Sequence, residues 1–337
     1  MTTQAQIAGR FADQAGKPDA RLLRTRHGSI FVSPFDDRNL LSWGTHFVLA
    51  RIMPGDAGAR SWWLLNGDNY SVSTSRHQGI TRDACGRTGL PMLIVPFSCL
   101  NEARIDLESI TPVDIQPERF ETIGHHARSV DDVPDLYRRS AEQLPDGRWT
   151  WNTYRHWLGA SLFSASYTVT DRAAGTTSYA SRTACFLSAF DDQEPSPMYF
   201  LCELPHGARP ATVEEALQAL KPREVVAAEA GGAVCTRQGD VFAIPAELTT
   251  RQLPRKRERG ARLLNLSHTA TEVCVTDDGT TYARGILRHA PAAAWRAPEH
   301  KRQPIGDRRT WHQIVKNTVP IDDNGNSRSW SRGGNVD

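Results

Sequence analysis

Alternation of apolar and polar residues dominates this chain and predicts a protein built mainly from strands. Successive side chains of a strand point to opposite faces, so a strand with one buried face repeats with a period of two. Runs of this kind, together with short continuous apolar runs, occur throughout the sequence. The predicted strands lie at 29–32, 47–50, 61–65, 93–97, 161–170, 181–190, 198–204, 240–245, 263–266, 272–275, 281–287 and 310–319.

Helical signals are fewer. Apolar residues between 131 and 144 have the spacing of one helix face. Thr212-Val-Glu-Glu215 is a capping box, in which the threonine oxygen accepts a helix amide and Glu215 reaches back to the cap. The helix that it begins ends at Lys221-Pro222. We therefore predict an α+β protein in which β-structure is dominant, with antiparallel sheets or a barrel-like C-terminal part and a few short helices.

A turn signal follows the apolar run at 61–65. Asn66-Gly67 is a frequent hairpin turn, so we expect residues 70–75 to form the return strand. This hairpin would carry several hydrogen-bonding side chains, among them Asp68, Arg76 and His77. They could line a ligand cleft or form an ordinary polar edge.

Changes in composition along the chain predict four segments. Residues 1–20 are polar and predict a flexible leader, and residues 21–205 predict an N-terminal β-rich domain. Residues 206–320 predict a basic β-rich domain that the capped helix opens. The Gly-, Asn- and Ser-rich residues 321–337 predict a flexible tail.

Composition and charge narrow the possible functions. The sequence has no apolar run of about 18 residues, so we expect no membrane span. Its six cysteines form no CxxC pair, which favours reduced thiols and a cytoplasmic location. The net charge is +2, but residues 251–337 carry 16 lysines and arginines against 9 acidic residues. A basic C-terminal part of this kind would attract phosphate-bearing partners.

Histidines and glutamates gather in this basic part. Imidazole and carboxylate groups shuttle protons near neutral pH and bind divalent metals. If the strands of this region are neighbours, these side chains would converge on one site, with each histidine capping a strand end or facing solvent as the alternative. His268 and Glu272, four residues apart, would share one face of a regular strand. The candidate catalytic residues are His268, Glu272, His289, Glu299 and His300, with His312 nearby. As an alternative to acid–base chemistry, a divalent metal would be held by His268, His289 and His300.

A cluster of cations lies between two predicted strands of the same region. Several cations on one exposed loop can neutralise phosphates and release counterions, although short charge runs are also common on ordinary solvated loops. The candidate nucleic-acid-binding residues are Arg255, Lys256, Arg257, Arg259, Lys301 and Arg302.

One feature of this region resembles the cupins, small barrels that hold a metal with histidines and a glutamate. Pro304-Ile305-Gly306 precedes His312 and Asn317, as a Pro-x-Gly turn precedes a histidine and an asparagine in the second cupin motif. The resemblance implies a metal enzyme that acts on a small molecule. The chain departs from the first motif, because Thr269 and Ala270 follow His268 where a His-x-His pair is expected.

These observations favour a nucleic-acid-associated protein, with a His/Glu-dependent phosphodiesterase or nuclease as the leading hypothesis. The alternatives are a non-enzymatic binding or assembly protein, such as a virion or defence-complex component, and a cupin-like metal enzyme. A protein partner or a homo-oligomer would suit the assembly role. The sequence contains no Walker loop, dinucleotide glycine pattern or His-Glu-x-x-His motif, which argues against an ATPase, a Rossmann dehydrogenase and an ordinary zincin.

Overall fold

A computed structural model describes most of the chain. The described residues are 3–14, 29–44, 47–55, 61–68, 70–117, 119–135, 137–157, 159–173, 176–190, 199–254, 256–264, 268–289, 302–307, 309–322 and 327–331. The helices are α1 (Gln4–Gln14), α2 (Val72–Gly86), α3 (Phe97–Glu102), α4 (Val213–Ala219) and α5 (Arg223–Ala230), with 3₁₀ turns at Leu107–Ser109 and Val130–Asp132.

Strands are far more numerous than helices. In chain order they are β1 (Ile30–Val32), β2 (Asn39–Ser42), β3 (Val48–Met53), β4 (Trp62–Asn66), β5 (Met92–Val95), β6 (Thr111–Ile115), β7 (Arg119–Ala127), β8 (Glu142–Gln143), β9 (Trp149–Trp157), β10 (Ser161–Ala173), β11 (Thr176–Phe190), β12 (Tyr199–Glu203), β13 (Thr236–Gln238), β14 (Val241–Ala246), β15 (His268–Val275), β16 (Thr281–His289), β17 (Gln303–Ile305), β18 (Trp311–Lys316) and β19 (Ser329–Ser331).

The N-terminal sheet has the strand order β1-β2-β3-β4-β5. Its neighbours are antiparallel except β4 and β5, which run parallel and are connected through α2. One face packs against α1 and α2, where Ile7 and Phe11 meet Trp63 and Leu65 in one core. Because β4 is covered on both faces, all five of its residues are buried and it shows no alternation.

The other face of this sheet packs on a second sheet with the order β19-β12-β11-β10-β6. Leu64 and Leu93 of the first sheet share a core with Phe163 and Phe186 of the second. Beyond the second sheet, Val213 of α4 packs against its opposite face. The layers are therefore stacked in the order α1 and α2, the N-terminal sheet, the second sheet and α4. A separate three-stranded sheet has the order β7-β9-β8.

The C-terminal sheet has the order β13-β14-β18-β16-β15, with β17 also paired to β16. Its inner face carries a core that includes Val241, Leu263 and Leu287. The edge strand β13 contacts β17, and Gln238 Nε2 donates to Leu287 O at 3.4 Å. The sheet is therefore curled, with β13 brought back over β16.

The prediction of a β-dominant protein with mainly antiparallel sheets and few helices is confirmed. The α+β class, the barrel-like form and the division at 205/206 stay predictions. The threonine cap is confirmed, because Thr212 Oγ1 accepts from Glu215 N at 3.1 Å. Glu215 Oε2 accepts from Ala211 N at 2.7 Å, one residue before the cap amide that the capping box predicts. Among the described residues, no helix has the length and apolar character needed to span a bilayer.

Several local predictions are wrong. Residues 70–75 lead into α2 instead of a return strand, because Ser71 accepts from Thr74 N and caps the helix. The described residues between 131 and 144 include the end of a 3₁₀ turn and the short strand β8, and they do not form the predicted helix. Within the predicted leader, α1 buries Ile7 and Phe11, and within the predicted tail, β19 pairs with β12; the four-segment division stays a prediction.

Candidate functional site: the C-terminal sheet

Two of the predicted histidines are direct neighbours. His268 of β15 and His289 of β16 are paired across the strands, and their ring centroids are 5.2 Å apart at an interplanar angle of 61°. Both lie on the inner face, two residues from the core residues Ala270 and Leu287 respectively. Only 1% of His268 and 9% of His289 is exposed. We call these two residues the imidazole pair.

A carboxylate adjoins the imidazole pair. Asp240, in the turn between β13 and β14, places Oδ1 3.4 Å from His268 Nδ1. Its side chain is 34% exposed, so it connects the buried rings to the surface. A carboxylate in this position can orient an imidazole and balance a proton on it, which is the arrangement needed for acid–base chemistry.

Glu272 does not join the imidazole pair, contrary to the expectation from the four-residue spacing. The pairing of β15 with β16 shifts by one residue between Ala270 and Glu272, where β16 has the extra residue, and Glu272 is paired with Arg284 on the outer face. There its Oε2 accepts from Arg284 Nε at 2.8 Å and from Arg284 Nη2 at 2.6 Å. Arg257 Nη1 lies 3.9 Å from its Oε1. Glu272 is therefore held in ion pairs instead of facing the histidines.

The other proposed ligands and catalytic groups are elsewhere. Glu299 and His300 lie outside the described residues. His312 is paired with Ala283, six residues along β16 from His289, which corresponds to about 20 Å. Burial lowers the pKa of His312, whose Nδ1 lies 3.2 Å from Thr310 O. Within the described part of the chain, no three His, Cys, Asp or Glu side chains converge as metal ligands would.

Arginines line the outer face of the same strands. Thr269 is paired with Arg288 on one side and with Arg262 on the other. Side chains of directly paired residues lie on one face, so these three residues form a row. Arg262 and Arg288 are exposed, and neither forms an ion pair with any other residue that the structure describes.

Two further arginines extend this row. Arg284 is four residues from Arg288 on β16, where buried and less buried residues alternate from Thr281 to His289, so both arginines are on the less buried face. The Arg284 guanidinium lies 4.7 Å from the centre of the Trp311 ring. Arg257 donates to Pro254 O at 3.4 Å and to Thr250 O at 3.3 Å, and braces its loop against the sheet. The arginine surface, as we use the term, consists of Arg257, Arg262, Arg284 and Arg288.

The remaining predicted cations contribute less to this surface. Lys256, Arg259 and Arg302 are exposed, and Lys256 Nζ lies 3.8 Å from Glu258 Oε1. Arg255 and Lys301 lie outside the described residues. Arg284 and Arg288 were missed as binding residues because they belong to a strand and not to the basic loop. Their even spacing within residues 281–289 is the signal that could have placed them on one face.

Comparison with protein-family models, curated proteins and solved structures gives no match to this chain. The function is therefore inferred from the arrangement of these residues.

Proposed function

We propose that this protein binds nucleic acid through the arginine surface of its C-terminal sheet. The observation that carries the proposal is the row Arg262, Thr269 and Arg288, in which two exposed cations flank a small hydroxyl residue. Guanidinium groups match phosphate oxygens in geometry and charge, and a threonine hydroxyl can donate to the same backbone.

The spacing of the row suits a sugar–phosphate backbone. Neighbouring strands are about 4.7–4.9 Å apart, so the Cα atoms of Arg262 and Arg288 are roughly 10 Å apart. Two long, flexible side chains at that separation can contact neighbouring phosphates of one strand. Because most of the affinity comes from phosphate contacts, we expect weak sequence preference and a strong dependence on salt.

The geometry favours binding over cleavage. A phosphate held on the outer face is separated from the imidazole pair, on the inner face, by the backbone of the sheet. The rings of His268 and His289 are almost fully buried. Glu272, which could act as a base, forms ion pairs with Arg284 and Arg257. A phosphodiesterase would need all these groups to face the bound phosphate.

Binding and cleavage are separable by experiment. Anisotropy of labelled single-stranded DNA, duplex DNA and RNA would measure binding, and gels would measure cleavage with and without Mg²⁺ or Mn²⁺. We expect the Arg262→Gln/Arg288→Gln protein to bind about tenfold or more weakly than wild type, because two phosphate contacts are lost. The control, Arg182→Gln/Arg223→Gln, removes the same charge from exposed positions elsewhere and should bind like wild type.

The His289→Gln protein tests the catalytic hypothesis. We expect it to bind nucleic acid as wild type does and expect neither protein to cleave it. Cleavage that disappears in His289→Gln while binding persists would replace the binding proposal with the phosphodiesterase hypothesis. Failure of wild type to bind any of the three nucleic acids would contradict the proposal and favour an acidic protein partner for the arginine surface.

A further inference from the structure

A cavity of about 200 Å³ lies in the N-terminal part of the molecule, far in sequence from the arginine surface. It is placed where the parallel strands β4 and β5 end, beside α2, which connects them. In sheets with parallel strands, ligands bind outside the carboxyl ends of those strands. Its lining residues include Asn66, Asp68, Ser75, Gln78, Arg82 and Leu65.

Hydrogen bonds within the protein fix one side of the cavity. Asn66 Oδ1 accepts from Asp68 N at 2.9 Å and from Phe97 N at 3.3 Å. The Asp68 carboxylate, which is 8% exposed, accepts from both the amide and the hydroxyl of Ser98. Gln78 Nε2 donates to the carbonyl oxygens of Asn66 and Asp68, at 2.9 and 2.8 Å. These groups are therefore held rigidly before any ligand arrives.

The other side of the cavity keeps polar groups that can reach a ligand. Ser75 and Arg82 occupy positions i and i+7 of α2, so they lie along one side of the helix. Ser75 is exposed, so the cavity opens to solvent at this end. A guanidinium carries five N–H donors, so Arg82 can keep contacts within the protein and still donate to a ligand.

The floor of the cavity is apolar. Leu49, Leu65 and Ile94 line it and belong to the core between the sheet and the helices. A volume of about 200 Å³ is below the roughly 300–1,000 Å³ of sites for drug-sized ligands. The occupant must therefore be small, with one apolar end and one end that accepts hydrogen bonds from a cation and a hydroxyl.

The geometry points to a binding site for a small carboxylic acid with a short apolar body. The carboxylate accepts from the Arg82 guanidinium and the Ser75 hydroxyl, and the body packs on Leu49, Leu65 and Ile94. Asp68 keeps its negative charge, but both of its oxygens accept hydrogen bonds from Ser98, and the Arg82 guanidinium supplies the positive charge that a second carboxylate requires. The site is independent of nucleic-acid binding at the arginine surface.

Titration of the ¹⁵N-labelled full chain with isobutyrate tests this site by NMR, and isobutyramide is the neutral ligand of the same shape. Isobutyrate should shift the amide signals of Gly67, Ser75 and Gln78 saturably in the millimolar range, whereas isobutyramide should bind at least about tenfold more weakly, because a charged hydrogen bond is lost. Arg82→Gln should weaken the binding of isobutyrate by about tenfold, and Ser75→Ala should weaken it by a smaller factor.

Arg76→Gln is the matched control, because it removes an exposed arginine from the same helix and should leave isobutyrate binding unchanged. Absence of saturable shifts with isobutyrate in wild type would overturn the inference. So would equal binding of isobutyramide, or of inorganic phosphate, because these results would remove the need for a carboxylate or for an apolar body. Ser75→Ala keeps the test valid if Arg82→Gln does not fold.

Discussion

Gly285 of β16 lies directly against Thr271 of β15, at the bulge where β16 has one residue more than β15. A Cβ atom at Gly285 would come within 2.7 Å of both Cβ and Oγ1 of Thr271, and Gly285 has a φ of +94°. The Thr271 hydroxyl also accepts from Ile286 N at 3.0 Å. This contact fixes the shift in pairing that separates the imidazole pair from Glu272, and so it determines which residues face outward.

Gly285→Ala should therefore destabilise the protein. The added methyl group meets a branched side chain anchored at Cβ, and the backbone disfavours any Cβ at this φ, so we expect a loss of roughly 3 kcal/mol in the free energy of unfolding. Gly279→Ala is the matched control, because Gly279 has a φ of +84° but nothing within 4 Å of its added Cβ. Urea unfolding measures both losses. Equal destabilisation by the two substitutions would show that the contact with Thr271 is unimportant.

His77 should make stability fall in mild acid. It is buried, its Nδ1 lies 2.7 Å from Ser42 Oγ and its Nε2 lies 2.9 Å from Gln4 Nε2. Burial, assisted by the charge of Arg76, lowers the pKa of His77 below its usual value. The folded state therefore prefers the neutral ring. The stabilisation is complete above the unfolded pKa of about 6.5 and is lost as the pH falls below it.

Thermal melting between pH 7.5 and pH 5 measures this effect. The His77→Gln protein should lose less stability over that range than wild type, because only the remaining groups, including His312 with its lowered pKa, still titrate. An unchanged pH dependence in His77→Gln would mean that protonation of another group is responsible.

Arg328 should be essential for attaching β19 to the second sheet. It forms an ion pair with Glu203, whose side chain is 8% exposed, and its guanidinium lies 4.3 Å from the centre of the Tyr167 ring. Arg328→Met would leave a buried carboxylate without its cation, at a cost of about 3–5 kcal/mol. Adding Glu203→Gln should recover much of that loss. Hydrogen exchange of the amides at residues 329–331 measures the attachment of β19 and should be faster in Arg328→Met than in wild type. Equally slow exchange in the two proteins would contradict this role of Arg328.

Sequence patterns predicted most strands but could not predict α2. Three of the five buried residues of this helix, Thr74, His77 and Thr81, are polar, and only Ala84 and Cys85 near its end are apolar, so the sequence shows no clear apolar period. The preceding Asn66-Gly67, a hairpin signal, instead begins a crossover to a parallel strand. The local sequence cannot distinguish a hairpin from a crossover at this point, because the outcome depends on which strand the following strand pairs with.

The candidate site shows the same limit. The proximity of His268 and His289 follows from a hairpin between two predicted strands, so it could have been predicted from the sequence. The position of Glu272 could not have been predicted, because the pairing of the two strands shifts by one residue between Ala270 and Glu272, and the sequence pattern of β15 does not show this shift. The contribution of β19 was equally hidden, since its partner β12 lies more than a hundred residues earlier.

Glu272→Gln separates binding from catalysis. Glu272 is the acidic residue that pairs with Arg284 and Arg257 of the arginine surface. Removing its charge should strengthen nucleic-acid binding about threefold to tenfold, because the surface gains one unit of positive charge and two arginines are released. Anisotropy at fixed salt measures the change. If Glu272 were a general base, the substitution would instead abolish a cleavage activity without strengthening binding.

The salt dependence of nucleic-acid binding tests the central claim most directly. The slope of the logarithm of the binding constant against the logarithm of salt concentration counts the phosphates that the protein neutralises. We expect a clearly negative slope for wild type and a slope smaller in magnitude by about 2 for Arg262→Gln/Arg288→Gln, since each lost phosphate contact contributes about 1. An identical slope for the two proteins would contradict the assignment of the arginine surface as the nucleic-acid-binding site.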